Sequence, residues 1–381
     1  MNDPGRAGPG ATLLGSIFGR GAGAAQTSDV ELLQAMLDAE SALASASARR
    51  GLIPGAAAER IMLACVADHY DIAAIAAEGA RHAQPVVGLV TALQAAVGAE
   101  AAPYIHHGAT SQDILDTALM LVAKRALVPL CSDLLSAADA LAVLADKHAR
   151  TPIIGRTLMQ QALPMSFGLK AAGWFTGLDH ARHGLMRVSV TLPVQLGGPV
   201  GALHDPELVA LMAAELGLIA PPLAWHSDRH TVGELAGALG VAAGSVAKFA
   251  RDVTLMAQNE VRELRETREG GGSSSMAHKR NPVASISAAA CAQRAPGLVG
   301  TLLGAMAGEH ERAAGAWQAE WEPLLQLISV TGSAACWAAD LSGHLDVDVA
   351  QMAANLGAAP AATGDPEACA ALVARAVAAR R

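Results

Sequence analysis

From Thr110 to about Ala149 the chain runs as one helical pattern, opened by a Thr-Ser cap and carrying apolar residues every three to four places. At 1.5 Å per residue such a helix is roughly 55–60 Å long, more than an ordinary globular domain uses. Pro129 lies inside it and is expected to kink it. A helix of that length needs partners of similar length. Further helical patterns run over about 165–187, 232–268, 282–307 and 320–345, and no segment alternates apolar and polar residues as a half-buried strand does. The expected fold is all-α, a long-helix bundle, and such lengths suit an oligomer.

Composition narrows the partners. The 381 residues are 52% hydrophobic but only 3% aromatic, which suits closely packed helices. A net charge of −8 argues against nucleic acid, and means that an anionic substrate needs a local cationic pocket. Cys65, Cys131, Cys291, Cys336 and Cys369 are odd in number and scattered, as free thiols in a reducing cytoplasm would be. The apolar run from Ala11 to Phe18 is too short to span a bilayer, and the later apolar stretches carry charges at helical spacing, so no membrane segment is expected.

The first 25 or so residues, rich in Gly, Pro and Ala, are expected to be irregular. Gly19-Arg20-Gly21-Ala22-Gly23 hints at a nucleotide loop, but no strand precedes it. Ser28-Asp29-Val30-Glu31 reads as a capping box opening a helix that Arg49-Arg50-Gly51 closes, and helices over about 55–80 and 85–97 follow. The expected division is a small N-terminal helical domain (1–105), the bundle (106–345) and a short tail (346–381).

The chemistry concentrates in Gly270-Gly271-Gly272-Ser273-Ser274-Ser275-Met276-Ala277-His278-Lys279-Arg280-Asn281-Pro282. Three glycines let the backbone take φ > 0 beside a ligand; three hydroxyls, two cations and an amide follow, and Pro282 suits a helix start. A flexible linker would have no use for the His-Lys-Arg-Asn-Pro end. From Gly272 to Pro282 the segment resembles the signature loop of the fumarase/aspartase superfamily, G-S-S-x-M-P-x-K-x-N-P, with Ala277 in place of the usual proline. The resemblance implies the superfamily's homotetrameric long-helix bundle, with active sites shared between subunits and no metal or organic cofactor. It also implies that Ser273, with Ser274 as fallback, exchanges a carbon-bound proton while Lys279 and Asn281 face a substrate carboxylate. A serine hydroxyl of ordinary acidity is no base at neutral pH, so neighbouring cations and amides must hold its alkoxide.

Two more segments match the superfamily's active-site regions. Thr110 and Ser111, preceded by His106, offer donors at a helix N-terminus, which suits a carboxylate, although alone they are an ordinary cap. His106 and His107 lack a third ligand at recognisable spacing, so no metal is expected. In Gly155-Arg156-Thr157-Leu158-Met159-Gln160-Gln161, Arg156 and Gln160 can hold carboxylates or serve a surface ion pair. Leu158 stands where the fumarate-releasing lyases carry a histidine, and leucine cannot move a proton. Glu309 to Trp321, Leu163 to Trp174, and Trp225-His226 followed by Arg229 resemble the bacterial 3-carboxy-cis,cis-muconate cycloisomerases, the lactone-forming branch, over nearly the whole chain. That resemblance implies a small tricarboxylate substrate, with Arg229, His310 and Arg312 as further anion contacts. The rivals are an adenylosuccinate- or argininosuccinate-lyase-like β-elimination and a silent helical oligomer. Members of the superfamily usually carry a further helical domain after the bundle, where about 35 residues remain here.

Overall fold

The computed structural model describes residues 15–203, 205–276, 278–358 and 364–380. Ala277 and residues 1–14, part of the Ala11–Phe18 run among them, lie outside the described residues. The described residues are 67% helical. It begins with α1 (Gly15–Phe18), α2 (Gly21–Ala25), α3 (Asp29–Arg49), α4 (Gly55–Ala64), α5 (Ile72–His82) and α6 (Val86–Val97). Two expectations change here. Residues 15–25 are two short helices and not irregular chain, and the helix expected over 55–80 breaks after Ala64. The second half restarts where the Asp71 carboxylate accepts the N–H groups of Ala73 and Ala74, a side-chain cap that a continuous helix would not need.

The bundle consists of α7 (Ser111–Lys147), α8 (Phe167–Ser189), α10 (His230–Ala257), α11 (Val283–Ala305) and α12 (Ala316–Gly343), with α9 (Pro206–Leu216) packed beside α3. Each long helix runs opposite to the one before it. Alanines at 118, 123, 126, 137 and 138 on α7 are fully buried, and such small side chains let helices approach closely. A single hydrophobic core runs from Leu33 on α3 to Val373 near the C-terminus.

Strands are few but they matter. Between α7 and α8 lies an antiparallel hairpin, β1 (Pro152–Thr157) with β2 (Gln160–Ser166), in the segment where the sequence shows no strand-like alternation. After α10, β3 (Leu264–Glu266) pairs with β4 (Leu345–Val347). The expected all-α fold is therefore helical with two small two-stranded sheets. The tail holds α13 (Val349–Gly357) and α14 (Pro366–Ala378), the latter tied back by a two-pronged Arg150–Glu367 pair at 2.9 Å.

By length and composition alone α7, α10 and α12 are apolar enough to cross a membrane, contrary to the expectation of no such segment. α12 packs on both α7 and α10, and all three share the core, yet α7 still presents Val128 and Val143 to the outside. All five cysteines are unpaired thiols.

Gly168 shows how tight the joint between α7 and α8 is: a Cβ there would stand 2.4 Å from the Ala145 carbonyl oxygen and 2.6 Å from Ala149 Cα. Backbone cannot yield as a side chain can. Gly168→Ala is expected to lower unfolding free energy by about 1–3 kcal/mol, read from urea denaturation.

Candidate active site

The Gly-rich loop is pinned at both ends and open at its tip. Gly270 and Gly271 have φ of 110° and 71°, and a Cβ on Gly271 would meet the Asn281 carbonyl oxygen at 2.4 Å. That close approach allows the Asn281 N–H to donate to the Gly271 carbonyl at 2.7 Å, closing the loop base. Glu266, at the end of β3, accepts the N–H groups of Ala284 and Ser285 at 2.8 and 2.9 Å and so caps α11. A cleft of about 730 Å³ lies at the base, lined by Thr267, Arg268, Gly271, Gly272, Arg280 and Asn281.

At the tip, the Ser273 hydroxyl oxygen accepts the backbone N–H groups of Ser275 and Met276 at 3.3 and 3.2 Å. Two amides aimed at one oxygen lower the cost of a negative charge there. Among the described residues Ser274 has no such pair, so the geometry separates the two serines. Lys279 is exposed and makes no ion pair among the described residues. Asn281 stands half-buried behind it.

The Leu158 region is the tip of the hairpin. Leu158 and Met159 have φ of 49° and 66°, the left-handed conformation both central residues of a two-residue hairpin turn must take. Neither is glycine or asparagine, so the turn is strained by about 1–2 kcal/mol per residue. Leu158 is also 96% exposed. Arg156 is committed elsewhere: it donates twice to the buried Glu263 carboxylate at 2.9 and 2.8 Å, and Asn355 donates to the same carboxylate. Gln160 is exposed beside the turn.

Thr110 and Ser111 open α7 as expected. Asp113 accepts the Thr110 N–H at 2.9 Å, and it also accepts the Gly197 and Gly198 N–H groups and pairs with His226 Nε2 at 2.7 Å. One buried carboxylate thus ties the helix cap to the loop after Leu196 and to the Trp225-His226 segment. Arg312 joins this group by donating to Thr110 Oγ1 at 3.0 Å and to the Pro199 carbonyl at 3.1 Å. Both acceptors are neutral. The positive charge of Arg312 therefore stands beside the positive end of α7 with no carboxylate against it among the described residues, an anion-binding arrangement. His310 is exposed with φ of 51°. His106 pairs with the buried Glu40 at 2.6 Å. Burial alone would lower its pKa, but the hydrogen bond and charge of Glu40, with Asp113 beyond, raise it above the ordinary value.

Arg229 is a correction. It is buried to 3% exposure and clamps two carboxylates, Asp116 at 2.7 and 3.0 Å and Glu320 at 2.7 to 3.1 Å, while Trp317 Nε1 donates to Asp116. Burial raises the Glu320 pKa despite the arginine. With two carboxylates already on it, Arg229 has no charge left for a substrate; it fastens α12 to α7. The partners of Arg156, Arg229 and His106 lie 107, 91 to 113 and 66 residues away in sequence, so no local signal announces them.

The groups do not all meet. Thr110, Ser111, His106, His310 and Arg312 occupy the end of the bundle where α7, α10 and α12 begin. The loop and the hairpin occupy the end where those helices finish: Arg156 holds Glu263 just after α10, and Thr267 bonds His344 just after α12. With 28 residues in α10, the two ends are about 40 Å apart. Among the described residues no group of three or more His, Cys, Asp or Glu side chains is placed to hold a metal ion.

A family model described as lyase matches residues 23–297. A 3-carboxy-cis,cis-muconate cycloisomerase of Bradyrhizobium diazoefficiens is 47% identical over 91% of this chain and 79% of its own length. A nitrosuccinate lyase of Streptomyces davaonensis is 42% identical over 87% of this chain and 74% of its own. The crystal structure of a 3-carboxy-cis,cis-muconate lactonizing enzyme from Pseudomonas putida superposes with a TM-score of 0.86 at 36% identity, covering 97% of this chain and 88% of that one. The chain belongs to the fumarase/aspartase superfamily.

Arg229→Ala leaves two buried carboxylates uncompensated and is expected to cost about 3–5 kcal/mol of unfolding free energy in urea denaturation. The His106–Glu40 pair gives a pH signature. Because the folded pKa is raised, its stabilisation is full below the ordinary value of 6.5 and is lost as pH rises through the folded pKa. The melting-temperature gap between wild type and His106→Gln should narrow as pH rises above 6.5.

Proposed function

We infer that the chain catalyses the cycloisomerisation of 3-carboxy-cis,cis-muconate to 4-carboxymuconolactone, a step in the protocatechuate branch of the β-ketoadipate pathway. The observation that carries the substrate is the near full-length likeness to cycloisomerases of that specificity. The loop geometry supports the mechanism. One substrate carboxylate oxygen forms a C–O bond to a double-bond carbon, and the π electrons move onto the carboxylate conjugated with it. A proton then reaches the adjacent carbon, leaving a lactone and two carboxylates. The charge needs cations and amides at the conjugated carboxylate, the role given to Lys279 and Asn281. The proton needs a carrier at the carbon, the role given to Ser273, whose oxygen two amides already serve. No second reactant must be captured, so holding the diene in a reactive conformer supplies much of the acceleration.

We further propose that the site forms between copies of the chain in a homotetramer. Thr110, Ser111 and Arg312, with His106 and His310 behind them, bind a substrate carboxylate contributed to a site whose loop comes from another copy. What supports this is the separation of the two groups by the length of the bundle. The outer faces of the long helices fit the same reading. Val241, Ile286 and Leu303 are exposed there, and Gly237, Gly244, Gly297 and Gly300 face open space where another helix can pack. Assembly would cover the apolar surface that otherwise suits a membrane, and the protein acts in the cytoplasm. Arg156 and Arg229 belong to the framework and not to the substrate.

A β-elimination reading has in its favour the likeness to lyases, a nitrosuccinate lyase among them. One assay separates them: the purified protein should bleach the ultraviolet absorbance of the carboxymuconate diene and leave nitrosuccinate, adenylosuccinate and argininosuccinate unchanged. Turnover of any of the latter without turnover of the diene contradicts the proposal. Within that assay, Lys279→Ala and Ser273→Ala should each lose about 10²–10⁴ in kcat with an unchanged melting temperature. Ser274→Ala should stay within about threefold of wild type, since among the described residues no amide pair serves that hydroxyl.

A further inference from the structure

The Gly19-Arg20-Gly21-Ala22-Gly23 segment is a strap laid across α12. Gly21 has φ of 87°, and a Cβ there would stand 2.9 Å from Cys336 Cβ. On the other side Gly332 admits the strap backbone, where a Cβ would meet Ala24 N at 3.0 Å. Three bonds fix the strap to α12: the Arg20 N–H donates to Ser333 Oγ at 2.8 Å, Ser333 Oγ donates to the Phe18 carbonyl at 2.7 Å, and Trp337 Nε1 donates to the Ile17 carbonyl at 3.0 Å.

The Arg20 side chain reaches a node shared with the catalytic loop. Its guanidinium lies over the Trp337 ring, 3.8 Å from the centroid, and Nη2 pairs with Asp340 Oδ2 at 2.9 Å. Arg268, two residues before the loop glycines, uses the same two groups: it lies 5.5 Å from the Trp337 centroid, and its Nε is 3.3 Å from the same Asp340 oxygen. Beside it the Thr267 N–H and hydroxyl both donate to the His344 carbonyl, and His344 Nδ1 is 3.0 Å from the other Asp340 oxygen. The strap fixes the Trp337 ring by two contacts, an edge hydrogen bond and a stacked cation. It thereby sets where the surface that receives Arg268 stands.

We propose that Arg20 is a positioning residue for the Gly-rich loop, acting through Trp337 and Asp340 on Arg268 at the loop stem. Arg20 touches no reacting atom. Its effect is to hold the stem so that the Ser273–Lys279 tip closes from one defined base. Like charge makes an opposite outcome conceivable on electrostatics alone, because removing Arg20 leaves Asp340 wholly to Arg268. Against that stands the ring: Arg20 lies 3.8 Å from the Trp337 centroid and Arg268 5.5 Å, so removing Arg20 takes away the nearer of the two cations that hold the ring in place.

The proposal rests on the reading of the loop as catalytic, so its test has an arm that needs no turnover. Full-length Arg20→Met, Arg268→Met and the double variant are treated with trypsin, and cleavage at Lys279 and Arg280 is compared with cleavage at the exposed Arg81. The expected result is loop cleavage about tenfold faster in Arg20→Met, with cleavage at Arg81 unchanged and the double variant no faster than Arg268→Met. In the diene assay kcat falls about tenfold in Arg20→Met while KM changes less than about twofold. Arg20→Lys, which keeps the charge and part of the packing, should recover most of both. Loop cleavage that is unchanged or slower overturns the proposal, as does equal acceleration at Arg81, which marks general loosening, or additive effects in the double variant. Failure of wild type to turn over the diene would instead strike the functional reading and leave the cleavage result standing.

Discussion

Helix length governs this molecule. A helix of 28 residues carries its two ends about 40 Å apart, and α10 and α12 both have that length. Because the long helices alternate in direction, their connections collect at two distant poles. The Gly-rich loop and the strained hairpin share one pole, and the α7 N-terminus with Arg312 occupies the other. A chain built this way carries two separated groups of polar and cationic residues, which the proposed function joins across copies. The exposed valines and open glycines along the helices answer the same geometry, since faces that do not meet within one copy remain for another.

Electrostatics then sorts the cations. Arg229 and Arg156 both sit against buried carboxylates in two-pronged pairs, so their charge is spent on the fold. Among the described residues Arg312 donates to neutral oxygens and adds its charge to a helix N-terminus. Lys279 stands exposed on a loop held at its base by Glu266 and by the Gly271–Asn281 contact. Lys279 and Arg312 are thus two cations with no carboxylate against them among the described residues, one at each pole. The proposed roles, Lys279 on the loop for catalysis and Arg312 at the helix cap for binding, fit a reaction in which negative charge migrates from one carboxylate to another.

Much of this was legible in the residues. The long helices follow from apolar spacing, and the loop follows from thirteen consecutive residues whose chemistry is local. The hairpin was not legible, because its turn uses Leu158-Met159 where a two-residue turn ordinarily announces itself with Asn-Gly, and its strands carry no clean alternation. Nor could the residues say that Arg229 is structural. Its chemistry is that of an anion ligand, and only the fold brings Asp116 and Glu320 to it. The same holds for Arg156 with Glu263 and His106 with Glu40. Motifs carried by one segment survive reading in one dimension; charges neutralised across segments do not.

In the proposed assembly one catalytic site draws its loop and its anion-binding cap from different copies. Mixing two inactive variants tests it most directly. Ser273→Ala and Arg312→Met protein would be unfolded together, refolded as a mixture and assayed for loss of the carboxymuconate diene. If each site combines elements of separate copies, random assortment restores about one quarter of wild-type activity. If the mixture stays as inactive as its two components, each site is built from a single chain, which contradicts the shared site.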